Sequence, residues 1–175
     1  MEIIILIIWL IAVYLALTLI IPAAILPNYF LIKPSYKITS KKLKKVIKNL
    51  NKIRNDEEFV KASFKFITAR YKSAGPITFI LNLPRLFWHN PNKVIEEQGF
   101  AFCHVQNLML KTILTGSKRF SDSMIKTKIN FTLVIHQYLE VSLGKKRIEL
   151  DPYGFGRGIP HGKHLNTMSF LFRPN

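Results

Sequence analysis

Residues 130–152 read NFTLVIHQYLEVSLGKKRIELDP, and the period of that stretch decides the fold class. Phe131, Leu133, Ile135, Gln137, Leu139 and Val141 alternate with Thr132, Val134, His136, Tyr138, Glu140 and Ser142. A two-residue repeat belongs to a β-strand, so Asn130 to Ser142 is expected as one strand. Leu143, Gly144 and Lys145 interrupt it with a tight turn, and Arg147 to Asp151 returns as a second strand. A two-residue turn at Gly144-Lys145 sets His136 opposite Tyr153 and Tyr138 opposite Asp151, leaving His136 and Asp151 diagonal neighbours on one face. A carboxylate so placed fixes the tautomer of the imidazole and supports its charged form, while the other ring nitrogen is left to reach a thiol.

The only thiol in the chain is Cys103. Phe102, Val105, Met109, Ile113 and Leu114 recur at helical spacing until Gly116, so Cys103 falls in the first turn of a helix. Unpaired backbone N–H groups and the positive end of the helix dipole there favour a thiolate. A cysteine between Phe and Val is also an ordinary core residue, and only a nearby imidazole turns the balance toward chemistry. One cysteine forms no internal disulfide and no multi-thiolate zinc site.

Upstream, Leu43, Val46, Ile47, Leu50 and Ile53 predict an amphipathic helix over 41–54 with lysines on its outer face. Asn55 followed by Glu58 reads as a capping box for the next helix, whose buried face runs through Phe59, Val60, Phe64, Ile67 and Tyr71 to an end at Ser73–Pro76. Residues 76–92 carry turn formers and aromatics without a period and read as a loop region.

From Ile3 to Leu26 runs an uncharged apolar stretch of 24 residues, longer than the roughly 20 that cross a hydrocarbon layer. It lacks the basic leader and short apolar core of a cleaved signal, so it reads as a retained anchor ending at Pro22 and Pro27. Nine Lys or Arg and no acid lie between Lys33 and Arg54, and the positive-inside rule places the C-terminal side of the anchor in the cytoplasm. Residues 1–28 are thus read as anchor, 29–54 as a basic juxtamembrane segment suited to anionic lipid headgroups, and 55–175 as the domain. The 175 residues leave room for one domain, and the formal charge of +16 coexists with a positive mean hydropathy because charge and apolarity occupy different segments.

Three segments together resemble the motifs of the transglutaminase-like superfamily, a group with papain-like Cys-His-Asp sites. They are Gly99-Phe-Ala-Phe-Cys103 opening a helix, His136-Gln-Tyr-Leu-Glu-Val141, and Ile148-Glu-Leu-Asp-Pro152 after a glycine turn. The likeness spans residues 55 to 155. It implies an α+β fold with helices packed on an antiparallel sheet, and a triad of Cys103 as nucleophile, His136 as general base and acid, and Asp151 as orienter. Tyr138 stands where the family often has Trp, and Phe102 where it often has a small or polar residue. The family includes peptidases, amide-forming transferases and inactive binders, so two functions are carried forward. One is a membrane-anchored acyl-transfer enzyme, peptidase or amidase acting on a protein or peptide through a thioester, with no cofactor. The other is a non-catalytic module binding anionic lipid, nucleic acid or an acidic protein.

The oxyanion of such a reaction needs two donors: the Cys103 N–H is one, and Gln98 or Trp88 is a candidate for the second. Gly154, Gly156, Gly158 and Gly162 lack the following helix of a phosphate loop and read as a flexible substrate-side loop. His161 and His164 lack a third ligand for a metal. The scattered Lys and Arg match no nucleic-acid motif.

Overall fold

The computed structural model describes residues 2–32, 36–73, 76–131 and 135–166, which form one long apolar helix followed by an α+β domain. The N-terminal helix, Glu2–Ile25, is long and apolar enough to cross a membrane, and none of it is buried in the domain. It is built from α1 (Glu2–Leu15), a π-helical turn (Ala16–Ile20) and α2 (Ile21–Ile25). The turn has a local cause. In an α-helix the Thr18 carbonyl takes the N–H of residue 22, and Pro22 has none.

Next come α3 (Lys41–Leu50) and α4 (Asp56–Arg70), each started by a side-chain cap: the Leu43 N–H donates to Ser40 Oγ at 3.2 Å, and the Glu58 N–H donates to Asn55 Oδ1 at 3.0 Å. The anticipated cap at Asn55 is in place. The helix ends earlier than expected, because Tyr71 leaves it to open β1 (Tyr71–Lys72), a short parallel partner of β2 (Gly99–Phe100). The buried Tyr71 hydroxyl donates to Val94 O at 2.8 Å, which binds that turn of chain to the next segment. The aperiodic region between these strands folds as α5 (Pro76–Leu81), a 3₁₀ turn (Leu83–Phe87) and α6 (Pro91–Val94). Each is too short to show a period, and α6 takes its cap from Asn90.

Helix α7 (Cys103–Gly116) is the centre of the molecule, packed against α4 on one side and the sheet on the other. It is buried all round from His104 to Leu114, polar residues included, where the spacing suggests a single apolar stripe. The sheet is antiparallel in the order β3 (Ile125–Phe131), β4 (Ile135–Leu143), β5 (Lys146–Leu150). One continuous strand over 130–142 is therefore corrected. Phe131 pairs with Ile135, so the chain reverses between them, and residues 132–134 of the expected strand lie outside the described residues. The expected two-residue turn is present, with Leu143 pairing Lys146 and Leu139 pairing Leu150. Gly144 supplies its positive φ of 61°. After β5 comes the single-turn α8 (Pro152–Phe155).

The segment set apart by its charge enters the same core. Ile32, Leu43 and Ile47 are buried in one cluster with Phe59, Ile67, Leu110 and Leu150, while the α3 lysines stay on the exposed face. Buried polar groups hold the chain just after α2: Gln137 Nε2 donates to Asn28 O at 2.8 Å and Tyr29 O at 2.9 Å, and Lys111 Nζ donates to Ile32 O at 3.4 Å. Ile32 is 1% exposed and packs as a core residue although it lies only seven places beyond the long helix. Ile32→Ala in the full chain is expected to lower stability by about 2–5 kcal/mol, as for other buried Ile truncations, read from urea titration in detergent micelles.

Candidate active site

Cys103 is the first residue of α7, delivered there by β2. The Ala101 N–H donates to Lys72 O at 3.2 Å, extending the β1–β2 pairing to the edge of the helix. Phe100 and Phe102 pack edge to face with ring centroids 4.8 Å apart, so both are buried and the residue between Phe102 and His104 is the one left partly open. Phe102, at the N-cap, provides no side-chain acceptor. That side chain therefore satisfies none of the first N–H groups of α7, that of Cys103 among them.

His136 and Asp151 meet as the hairpin register requires. The His136 Nε2–H donates to Asp151 Oδ2 at 2.7 Å, with both side chains buried. The carboxylate is held by two more donors, the Gly154 N–H on Oδ1 and the Leu165 N–H on Oδ2, each at 2.8 Å. Any Cβ at position 154 would run into that carboxylate, which is why the residue is glycine. The first of the four glycines thus belongs to a capped turn, α8, and the expected flexible loop begins no earlier than its end.

With Nε2 committed to Asp151, Nδ1 is the ring nitrogen left for the thiol. Burial works against a thiolate at Cys103, but hydrogen bonds to His104 and His136 and the charge of His136 outweigh it, bringing the pKa down to about 6. Burial likewise opposes the imidazolium of His136, and the Asp151 carboxylate with Cys103 overcomes it, raising the pKa to about 10. Between those values the pair stands as thiolate and imidazolium, the reactive form of a thiol nucleophile.

Three more residues surround the thiol; His104 and Tyr29 escape sequence reasoning, while Tyr153 lies beside His136, the residue the turn sets it against. His104 adjoins Cys103 in the chain and donates Nε2–H to Leu86 O at 2.8 Å, placing a second imidazole on the sulfur. Its signal is the bare Cys-His dipeptide. Tyr153 ionises only at about 12, raised by burial first and by the charge of Cys103 next, and its ring lies 6.0 Å from that of His136. Its phenol is therefore a proton donor at neutral pH. Tyr29 is raised by the same two causes and sits edge-on to His104 at 6.0 Å. Nothing in the sequence links a residue beside the apolar helix to Cys103.

The remaining sequence candidates have other surroundings. Gln98 has an exposed side chain, and its carbonyl accepts from Arg85 at 3.4 Å. Trp88 is half-buried under the Arg85 guanidinium, 4.8 Å from its ring, and lines a surface depression of about 260 Å³ with Phe87, Lys93 and Glu97 that includes none of Cys103, His136 and Asp151. His164 donates to Glu149 at 2.8 Å and stacks on Tyr138 at 4.1 Å, and His161 packs against Phe64 at 4.9 Å. Comparison with known protein families, curated proteins and solved structures gives no match.

A thiolate, an imidazolium with a fixed tautomer and an uncapped helix start are together able to transfer an acyl group. The alkylation rate of Cys103 is expected to rise with pH through a midpoint near 6. His136→Ala should move that midpoint upward, and removing His104 as well should bring it toward the roughly 8.5 of a free cysteine. Mass spectrometry of the iodoacetamide adduct against pH measures both.

Proposed function

We propose that the chain is a membrane-anchored, cysteine-dependent acyl-transfer enzyme, an amidase, peptidase or transferase with a transglutaminase-like domain on the cytoplasmic face. The observation that carries the reading is the buried 2.7 Å bond from His136 to Asp151 beside a thiol whose pKa is drawn down to about 6. A histidine serving only as packing needs neither the carboxylate nor the thiol.

In the reaction the Cys103 sulfur attacks the acyl carbonyl carbon, forming the C–S bond and placing negative charge on the carbonyl oxygen. The Cys103 N–H holds that oxygen, with the protonated Tyr153 phenol as the second donor. His136 passes its Nδ1 proton to the leaving nitrogen or oxygen as the bond to it breaks, leaving a thioester. Water or an amine then gives a proton to His136, attacks the thioester, and releases the thiolate. Asp151 holds the imidazole in the needed tautomer throughout.

Support for the anchor is the helix Glu2–Ile25, uncharged after its first residue, and the nine basic residues from Lys33 to Arg54 that come after it. The exposed lysines of α3 lie where anionic headgroups attract them, each by about 1 kcal/mol. Protein and peptide substrates fit this reading, as does a lipid-linked one.

Activated acyl esters and amides should leave an acyl adduct on Cys103, seen by intact mass. Turnover should trace a bell with limbs near 6, where the thiol ionises, and near 10, where His136 loses its proton. Asp151→Asn should cut turnover by about 10⁴ while leaving the thiol accessible. A Cys103 that resists alkylation until the protein unfolds refutes the enzyme reading and leaves a binding module. An impermeant thiol reagent should fail to label an engineered domain cysteine in intact cells, and labelling would reverse the topology.

A further inference from the structure

The mouth of the site is built partly by the long N-terminal helix and its exit. Tyr29 folds back so that its hydroxyl donates to Thr18 O at 3.3 Å, supplying a donor to the carbonyl that Pro22 cannot serve. Thr18 lies seven residues before the end of the helix, which is about 10 Å along its axis. Tyr29 therefore bridges the side of the helix to His104, whose ring it meets edge-on next to Cys103. The bridge is not a loose arm. Gln137, the chain neighbour of His136, donates to the carbonyls of both Asn28 and Tyr29.

The opposite wall is the 3₁₀ turn Leu83–Phe87, fixed over the first turn of α7 by the His104–Leu86 bond and by Arg85 donating to Phe100 O at 2.6 Å. Exposed apolar side chains crowd the same end of the domain: Leu31 (67%) on the exit segment, Ile80, Leu81 (76%), Leu83 and Phe87 around the turn, and Phe131 (65%) at the strand end that faces Ile135 and so adjoins His136. Apolar side chains left exposed beside the site call for a partner, and continuity with the long helix names the bilayer as that partner. The β4–β5 turn, at the other end of β4, lies eight residues from His136, about 26 Å away at strand rise.

We infer that the Cys103 site opens onto the interfacial layer of the membrane, with Tyr29 and the Leu83–Phe87 turn as its walls, and that its substrate is a long-chain acyl ester or amide whose scissile bond lies at headgroup depth. The inference rests on the acyl-transfer reading and on the anchor, and narrows the substrate from acyl compounds in general to amphiphiles. Tyr29 is then a positioning residue, holding the mouth at a set depth along the helix.

The full chain, reconstituted in vesicles of three parts phosphatidylcholine to one part phosphatidylglycerol, is treated with iodoacetamide or with its N-hexadecyl derivative. The control is a thiol at the far turn, Lys145→Cys combined with Cys103→Ser. The ratio of hexadecyl to short-probe rate at Cys103 is expected to exceed that of the control by about tenfold, the gain of a probe confined beside its target. Leu31→Ser with Leu81→Ser, both outside the walls of the site, should lower the ratio severalfold and leave the iodoacetamide rate unchanged. Equal ratios at the two thiols, with Cys103 still fast toward iodoacetamide, overturn the inference and leave the acyl-transfer reading intact. A Cys103 slow toward both probes overturns both, and protein recovered free of the vesicles removes the anchor and the inference together.

Discussion

The carboxylate of Asp151 is the group on which the domain and the site both depend. A buried carboxylate is costly unless donors replace its water, and here three do: the His136 ring, the Gly154 N–H and the Leu165 N–H. These contacts end β5, start α8, fasten the chain at Leu165 and hold His136 to one tautomer. Stability and chemistry are thus drawn from the same atoms, and the absence of a side chain at Gly154 is a condition of both.

Strand β4 does a second job. Gln137 joins α7 to the strand, with Asn107 Nδ2 donating to Gln137 O at 2.6 Å. Its own amide reaches the carbonyls of the exit segment. Adjacent residues on one strand therefore serve the thiol and the chain that follows the long helix. Lys111 adds to this attachment, reaching Ile32 O while paired to Asp122 at 2.8 Å, an ion pair that offsets the cost of burying the ammonium group.

The hairpin register, the cap at Asn55, the start of α7 at Cys103 and the 24-residue apolar helix were legible in the residues, since each is set by neighbours within a few positions. Gly144 permits a two-residue turn, and that turn alone carries Asp151 to His136. The reversal between Phe131 and Ile135 was not legible, because strand alternation continues across it without a Gly or Pro. Nor was the β1–β2 pair, where Tyr71 keeps helical spacing and is drawn into a strand by Gly99, far along the chain.

What the sequence by itself determined is therefore the local grammar: where helices begin, which strand face carries His136, how far the apolar segment reaches, and the order Cys, His, Asp. Only the tertiary structure decided that His104 and Tyr29 join the thiol, and that Gln137 and Lys111 anchor the exit segment. Those contacts join positions far apart in the chain, and they are chosen by the satisfaction of buried polar groups, a requirement that leaves no periodic mark in the sequence.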